Sequence, residues 1–123
     1  MEFSVQPEDV DGFPVIVASG PITVASAIEL GGFIRTTCET SGVTGAIVDC
    51  GAIEGALSAE SIYEMTPAFT NVVGRSIRVA YINPPAHWSA EDDQFSRDLA
   101  HNRGGFLEVF ETADDAVAWI RAG

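Results

Sequence analysis

Three residues in this sequence have side chains that catalyse reactions in many enzymes, and each lies near or after the carboxyl end of a predicted strand: Asp49, Ser58 and His87. A hydroxyl, an imidazole and a carboxylate in mutual contact form the catalytic arrangement of serine hydrolases. The residues around Ser58 lack the glycine pattern of a nucleophile elbow, which weighs against that chemistry. A small enzyme built on these three residues is therefore the alternative hypothesis, not the leading one.

Asp49 and Ser58 each have a simpler structural interpretation. Asp49 is the only charge in an apolar run and lies near the carboxyl end of a predicted parallel strand, where α/β sheets bind ligands. It is either a desolvated base or, as we favour, an acceptor for backbone amides around Gly51. Ser58 is either an anion-binding or phosphorylated residue or, as we favour, a helix N-cap, since Glu60 and Glu64 would repel an anion.

His87 and Trp88 follow the Pro84-Pro85 pair and are expected at the same edge as Asp49. Trp88 either covers a pocket or caps the sheet. A zinc site needs at least three protein ligands at suitable spacing, which His87 and His101 do not supply. The sequence therefore predicts no metal and no cofactor.

Strand-like and helix-like segments alternate along the chain and predict the order β-β-α-β-α-β-α-β-α. The strands are expected around residues 3–5, 15–18, 46–50, 77–82 and 106–110, and the helices at 24–41, after Ser58, after Ser89 and after Thr112. Such alternation is typical of a mainly parallel sheet with right-handed crossovers, here with an antiparallel first strand at one edge. We expect one α/β domain that spans residues 1–123.

Local signals refine the first two helices. Ser26 and Glu29 have the spacing of a capping box. The pair Gly31-Gly32 within the first helix suggests a close approach to the sheet. Pro67 predicts a kink or a break in the second helix.

The third helix is predicted from its ends. Ser89 and Asp92 fit a capping box, and Arg103 precedes the glycine pair at 104–105, a common helix terminus.

Composition excludes several classes of partner. The chain has 18 acidic residues against 6 arginines, which gives a net charge of -12. A chain of this charge would repel a polyanion, so neither nucleic acid nor an anionic membrane is expected as a primary partner. No apolar run approaches the roughly 18 residues of a membrane span, and Cys38 and Cys50 do not form a disulfide framework. We expect a cytoplasmic protein in which both cysteines are buried free thiols.

Some residue strings resemble those of the STAS domain, the SpoIIAA-like family, and in particular an uncharacterised bacterial branch of it. There are three such strings: Val48-Asp49 followed by residues 53–55, residues 78–80 followed by Trp88, and residues 109–110 followed by residues 116–120. The resemblance implies a STAS-like five-stranded, mainly parallel sheet. Signalling STAS domains carry an Asp-Ser-Ser/Thr-Gly string at the second helix, whereas residues 54–59 here read Glu-Gly-Ala-Leu-Ser-Ala. Only Ser58 occupies a comparable place.

The leading hypothesis is a non-catalytic module that binds a protein partner or a small apolar ligand at the carboxyl edge of the sheet. The residues expected to contribute are Asp49, Glu54, Ser58, His87 and Trp88. A homodimer is also expected, because the strands are apolar on both faces and large exposed apolar faces usually mark interfaces.

Overall fold

The computed structural model describes residues 1–86, 88, 94 and 106–122. Its elements are β1 (Glu2–Val5), β2 (Val15–Pro21), α1 (Val24–Ser41), β3 (Gly45–Glu54), α2 (Ala59–Val73), β4 (Arg78–Ile82), β5 (Phe106–Phe110) and α3 (Ala113–Ala122). Apart from Gln94, the helix predicted between Ser89 and Arg103 lies outside the described residues. Among the residues described, no helix is both long and apolar enough to cross a membrane.

The five strands form one sheet in the order β1-β2-β3-β4-β5. Strands β2 to β5 are parallel neighbours, and β1 pairs antiparallel with β2 at the edge. This confirms the predicted topology. Each parallel connection advances by one strand in the same direction, and right-handed crossovers of that kind place their helices on one face of the sheet. Residues of α1 and α2 accordingly share one buried cluster with the strands.

The second face of the sheet is covered by α3. Side chains of β2, β3 and β4 form a second buried cluster with this helix; they are Val15, Ile47, Ala80, Ile82, Ala116, Val117 and Ile120. The reason first given for a homodimer, an uncovered apolar face, is therefore wrong where α3 packs. The homodimer itself stays a prediction.

The start of α1 differs from the sequence-based expectation. Thr23 is the N-cap, and its Oγ1 accepts a hydrogen bond from the Ser26 backbone N–H at 3.0 Å. The Ser26 hydroxyl oxygen in turn accepts from the Thr23 N–H at 2.8 Å. Ser26 is thus the third helical residue of a capping box and not its cap, so the predicted pairing with Glu29 is wrong.

The glycine pair of α1 faces α2 and not the sheet. A Cβ atom added to Gly31 would lie 3.1 Å from Phe69 Cδ2 and 3.3 Å from Val73 Cγ2, both on α2. At Gly32 the nearest atom would be 3.8 Å away, on Val72. The close approach expected from the sequence is therefore between two helices.

Helix α2 runs through Pro67 without a break. Proline removes the hydrogen bond to the carbonyl four residues earlier, which belongs to Tyr63. Tyr63 is 58% exposed, so water has access to this side of the helix. Of the predicted kink or break, the break does not occur: the Tyr63 carbonyl loses its helical donor on an exposed side of the helix, which continues to Val73.

Candidate functional site

Strand β3 is longer than predicted and projects beyond β4. The last pair between them joins Asp49 to Ile82, whereas β3 continues to Glu54 along β2. The first four residues of the predicted loop, 51–54, are therefore strand. They were missed because Gly51 and Ala52 do not continue the apolar run, and pairing with Ser19 and the residues after it extends the strand.

Asp49 stabilises an irregularity in this strand. The register between β2 and β3 shifts by one residue after the pair of Val17 with Asp49, as in a β-bulge. Asp49 Oδ1 accepts a hydrogen bond from the Gly51 N–H at 2.9 Å and another from Asn83 Nδ2 at 3.5 Å. The expectation that Asp49 accepts from the amide at Gly51 is confirmed.

Ser58 is the N-cap of α2. Its Oγ accepts from the Ser61 N–H at 3.1 Å and donates to the Ser61 hydroxyl at 3.1 Å. Glu60 follows in the first turn, where a negative charge interacts favourably with the positive end of the helix dipole. The capping role predicted from the sequence is confirmed.

Trp88 joins two loops at the carboxyl edge. Its indole Nε1 donates to the carbonyl oxygen of Gly55 at 2.7 Å, and its ring packs against the α1–α2 cluster. Glu54 is exposed at the end of β3, where its carbonyl oxygen accepts from the Ile22 N–H at 3.0 Å. His87 lies outside the described residues.

Trp88 also lines a surface cavity of about 90 Å³, which we name the carboxyl-edge cavity. Strands β3, β4 and β5, helices α1 and α2 and the loops at this edge contribute to its walls. Its lining residues include Ile22, Ile53, Leu57, Thr66, Tyr81 and Trp88. None of the described residues that line it is charged, so it suits an uncharged, apolar group.

Two hydroxyl-bearing residues interrupt the apolar walls. Thr66 is 1% exposed, and its Oγ1 has no hydrogen-bond partner among the described residues. Burial, and secondarily the neighbouring Cys50, raises the pKa of the Tyr81 hydroxyl well above its ordinary value. Both groups are therefore neutral at physiological pH, and the cavity offers polarity without charge.

This geometry brings together some of the predicted residues and adds others. Trp88 lines the cavity, and Glu54 and Ser58 adjoin the lining residues Ile53 and Leu57 in sequence. The side chains of Asp49 and Ser58 accept hydrogen bonds from nearby backbone N–H groups and so have structural roles. Within the described part of the chain, no three histidine, cysteine or acidic residues lie close enough to hold a metal ion.

The sequence reasoning missed Thr66 and Tyr81. A polar residue in phase with the apolar face of α2 was the available signal for Thr66, since Ile62, Thr66, Phe69 and Val73 recur at helical spacing. Tyr81 carried no comparable signal, because its direction depends on which face of β4 the helices cover.

The sheet order, the helices on both faces and the loops at the carboxyl edge define a SpoIIAA-like α/β fold. An anti-sigma factor antagonist from Mycobacterium paratuberculosis is similar, with a TM-score of 0.56, 20% identity, and coverage of 98% of this chain and 95% of that one. An uncharacterised protein of the DUF3478 family with a SpoIIAA-like fold, from Shewanella loihica PV-4, has a TM-score of 0.57 at 17% identity. That match covers 96% of this chain and 93% of the other. No family model and no curated protein matches this sequence.

Proposed function

We propose that this chain is a non-catalytic module that binds a protein partner at the carboxyl edge of its sheet. The observation that supports this proposal is the carboxyl-edge cavity, which would receive one apolar side chain of the partner. Its volume of about 90 Å³ is well below the roughly 300–1,000 Å³ of pockets that enclose drug-sized ligands. Single buried anchor side chains in tight pockets provide much of the binding energy at protein interfaces.

Exposed residues that adjoin the lining residues in sequence suggest the chemistry of the partner. Tyr63, which follows the lining residue Ile62, is the most exposed large apolar side chain among the described residues, at 58%. Tyrosine is common at interface hot spots. Glu54, Glu60 and Glu64 are exposed nearby in sequence and add negative charge. A complementary partner presents an apolar anchor flanked by basic residues.

The fold comparison supports a protein partner over catalysis. One similar structure is an anti-sigma factor antagonist, which acts on a protein. The DUF3478 structure carries the same fold without an assigned activity. In the described residues, the carboxyl-edge cavity also lacks a paired nucleophile and base.

The experiment uses a phage-displayed library of random peptides, selected on the folded protein. We expect the enriched peptides to share one large apolar residue with basic neighbours. Leu57→Gln should weaken their binding about tenfold or more, since losing an anchor contact costs over 1 kcal/mol. Val5→Gln is the matched control, because Val5 is an exposed apolar residue on β1 that does not line the cavity. Peptides that bind both variants as well as the wild type would contradict the proposal.

A small uncharged molecule is the second candidate occupant, and the unpartnered Thr66 hydroxyl favours it. An engineered apolar cavity of about 150 Å³ binds benzene, so this smaller cavity limits the ligand to a few carbon atoms and one oxygen. Chemical-shift titration with acetone and with isobutene, which has the same shape but no oxygen, tests this candidate. Preference for the ketone, lost in Thr66→Val, is the expected result; equal or absent binding contradicts it.

The proposed module requires only one chain. A homodimer, if formed, uses a surface other than the face covered by α3. Sedimentation velocity at low and high salt tests it, since salt screens the repulsion between two chains of net charge -12 and strengthens an apolar association. A monomer at high protein concentration and high salt would exclude the dimer.

A further inference from the structure

Arg78 lies at the amino edge of the sheet, opposite the carboxyl-edge cavity. It is the first residue of β4 and pairs with Gly45 of β3 and Phe106 of β5. Its guanidinium carbon lies 3.9 Å from the centroid of the Trp119 ring and 5.9 Å from that of Phe106. Nη2 donates to the Trp119 carbonyl oxygen at 2.8 Å, so the orientation of the group is fixed from two sides.

This guanidinium forms no ion pair with a residue in the described part of the chain. Ion pairs there join Arg35 to Glu39 and Arg121 to Asp11, and none includes Arg78. Arg78 Nε is buried and has no hydrogen-bond acceptor there either. Burying a hydrogen-bond donor without an acceptor costs free energy, and burying an unpaired charge costs more. A bound anion would remove both costs at Arg78. The feature is unusual in a chain with 18 acidic residues and only 6 arginines.

Arg78 also lines an open cavity of about 570 Å³, which we name the amino-edge cavity. Its described lining includes Asp11, Thr44, Ser76, Phe106 and Arg121. The charge of Arg121 is offset by Asp11, whereas that of Arg78 is not, so the local balance is positive. Thr44 and Ser76 are exposed and add hydroxyl donors.

We propose that the amino-edge cavity binds an oxyanion, the carboxylate or phosphate group of a small molecule, with Arg78 as its anchor. Stacking on Trp119 occupies one face of the guanidinium, Nη2 gives one N–H to the Trp119 carbonyl oxygen, and Nε is buried. The N–H groups of Nη1 and the second N–H of Nη2 are the donors that meet the oxygens of a carboxylate or phosphate. A volume of about 570 Å³ falls within the roughly 300–1,000 Å³ of small-molecule pockets. The site is independent of the proposed protein-binding edge.

The test is a chemical-shift titration of the backbone amides with inorganic phosphate and, separately, with acetate at constant ionic strength. We expect saturable shifts at Thr44, Ser76 and Arg78 with at least one of the two anions. A preference for phosphate identifies a phosphate ester as the ligand class, and a preference for acetate identifies an organic acid. The absence of saturable shifts with both anions overturns the proposal.

Variants separate this site from general ion binding. Arg78→Met should abolish the saturable shifts. Arg35→Met should leave them unchanged, because Arg35 does not line the amino-edge cavity, although it lines a neighbouring cavity that shares Thr44 and Ser76. Arg78→Lys keeps the charge but loses the planar fork, so binding should weaken about tenfold. If Arg78→Met does not fold, the lysine variant decides. A folded Arg78 variant that binds phosphate and acetate as the wild type does overturns the proposal.

Discussion

The indole of Trp88 donates a hydrogen bond to the carbonyl oxygen of Gly55 at 2.7 Å. This bond ties the segment after β4 to the loop between β3 and α2. Both segments contribute to the carboxyl-edge cavity, through Trp88 itself and through Ala56 and Leu57. This one contact therefore holds together two of the segments that line the cavity, which are 33 residues apart in the chain.

Replacing Trp88 tests how much this contact contributes. Trp88→Phe keeps an aromatic ring but removes the indole N–H, so the free energy of unfolding should fall by about 1 kcal/mol. Trp88→Ala also removes the packed ring and should cost more, about 2–3 kcal/mol for a half-buried side chain. Urea unfolding measures both. A phenylalanine variant as stable as the wild type would show that the hydrogen bond adds nothing.

Ser58 offers a test of capping against a regulatory role. Ser58→Ala should lower the free energy of unfolding by about 1 kcal/mol, whereas Ser58→Asp should retain stability, since aspartate also accepts from the helix N–H groups. Thermal and urea unfolding measure the difference. Destabilisation by aspartate, or loss of peptide binding by aspartate alone, would instead favour control by phosphorylation.

The sequence predicted those features that depend on near neighbours. Ser58 as a cap and Asp49 as an acceptor for Gly51 each involve residues two or three positions apart. The parallel order of β2 to β5 followed from the alternation of strands and helices. The α1 cap was placed three residues late, because Ser26 has the residue type of a cap and only the backbone conformation shows that Thr23 fills that position.

Features that depend on distant parts of the chain were not predictable. The carboxyl-edge cavity combines residues from three strands and two helices, and its volume depends on how these elements pack. In the sequence, Arg78 is simply one of six arginines in an acidic chain. Its neighbours in sequence do not indicate that α3 places Trp119 over its guanidinium group. The sequence signals pointed to the carboxyl edge, where α/β folds usually bind ligands, and not to the amino edge.

The two glycines of α1 should respond oppositely to alanine. Gly32→Ala adds a Cβ where the nearest atom is 3.8 Å away, so it should gain up to about 1 kcal/mol of stability from helix propensity. Gly31→Ala places its Cβ 3.1 Å from the Phe69 ring, so α1 and α2 must separate slightly and the gain should be cancelled or reversed. Urea unfolding of the two variants provides the comparison. Equal effects would contradict the close contact of the helices at Gly31.

Cys38 makes stability depend on pH at the alkaline end. Burial raises the pKa of its thiol from 9.0 to about 11. The unfolded chain therefore loses this proton first, and the stability that Cys38 contributes is complete below pH 9 and declines between pH 9 and 11. A shift of this size corresponds to at most about 2–3 kcal/mol. Unfolding at pH 8 and pH 10 should show a smaller decline in Cys38→Ala than in the wild type; the same decline in both would refute this role.

Thr66 provides a final test, because its hydroxyl is buried without a partner and lines the carboxyl-edge cavity. Thr66→Val keeps the shape and the branching at Cβ while removing the buried oxygen, so the unliganded protein should gain about 1 kcal/mol in free energy of unfolding. Thr37→Val is the matched control in α1, where the hydroxyl donates to the Phe33 carbonyl oxygen at 2.8 Å and its loss should destabilise instead. A hydroxyl retained at a cost in stability is expected to serve binding. If Thr66→Val destabilises the protein as Thr37→Val does, the Thr66 hydroxyl has a hydrogen-bond partner within the protein. The proposal that this hydroxyl binds the oxygen of a ligand is then wrong.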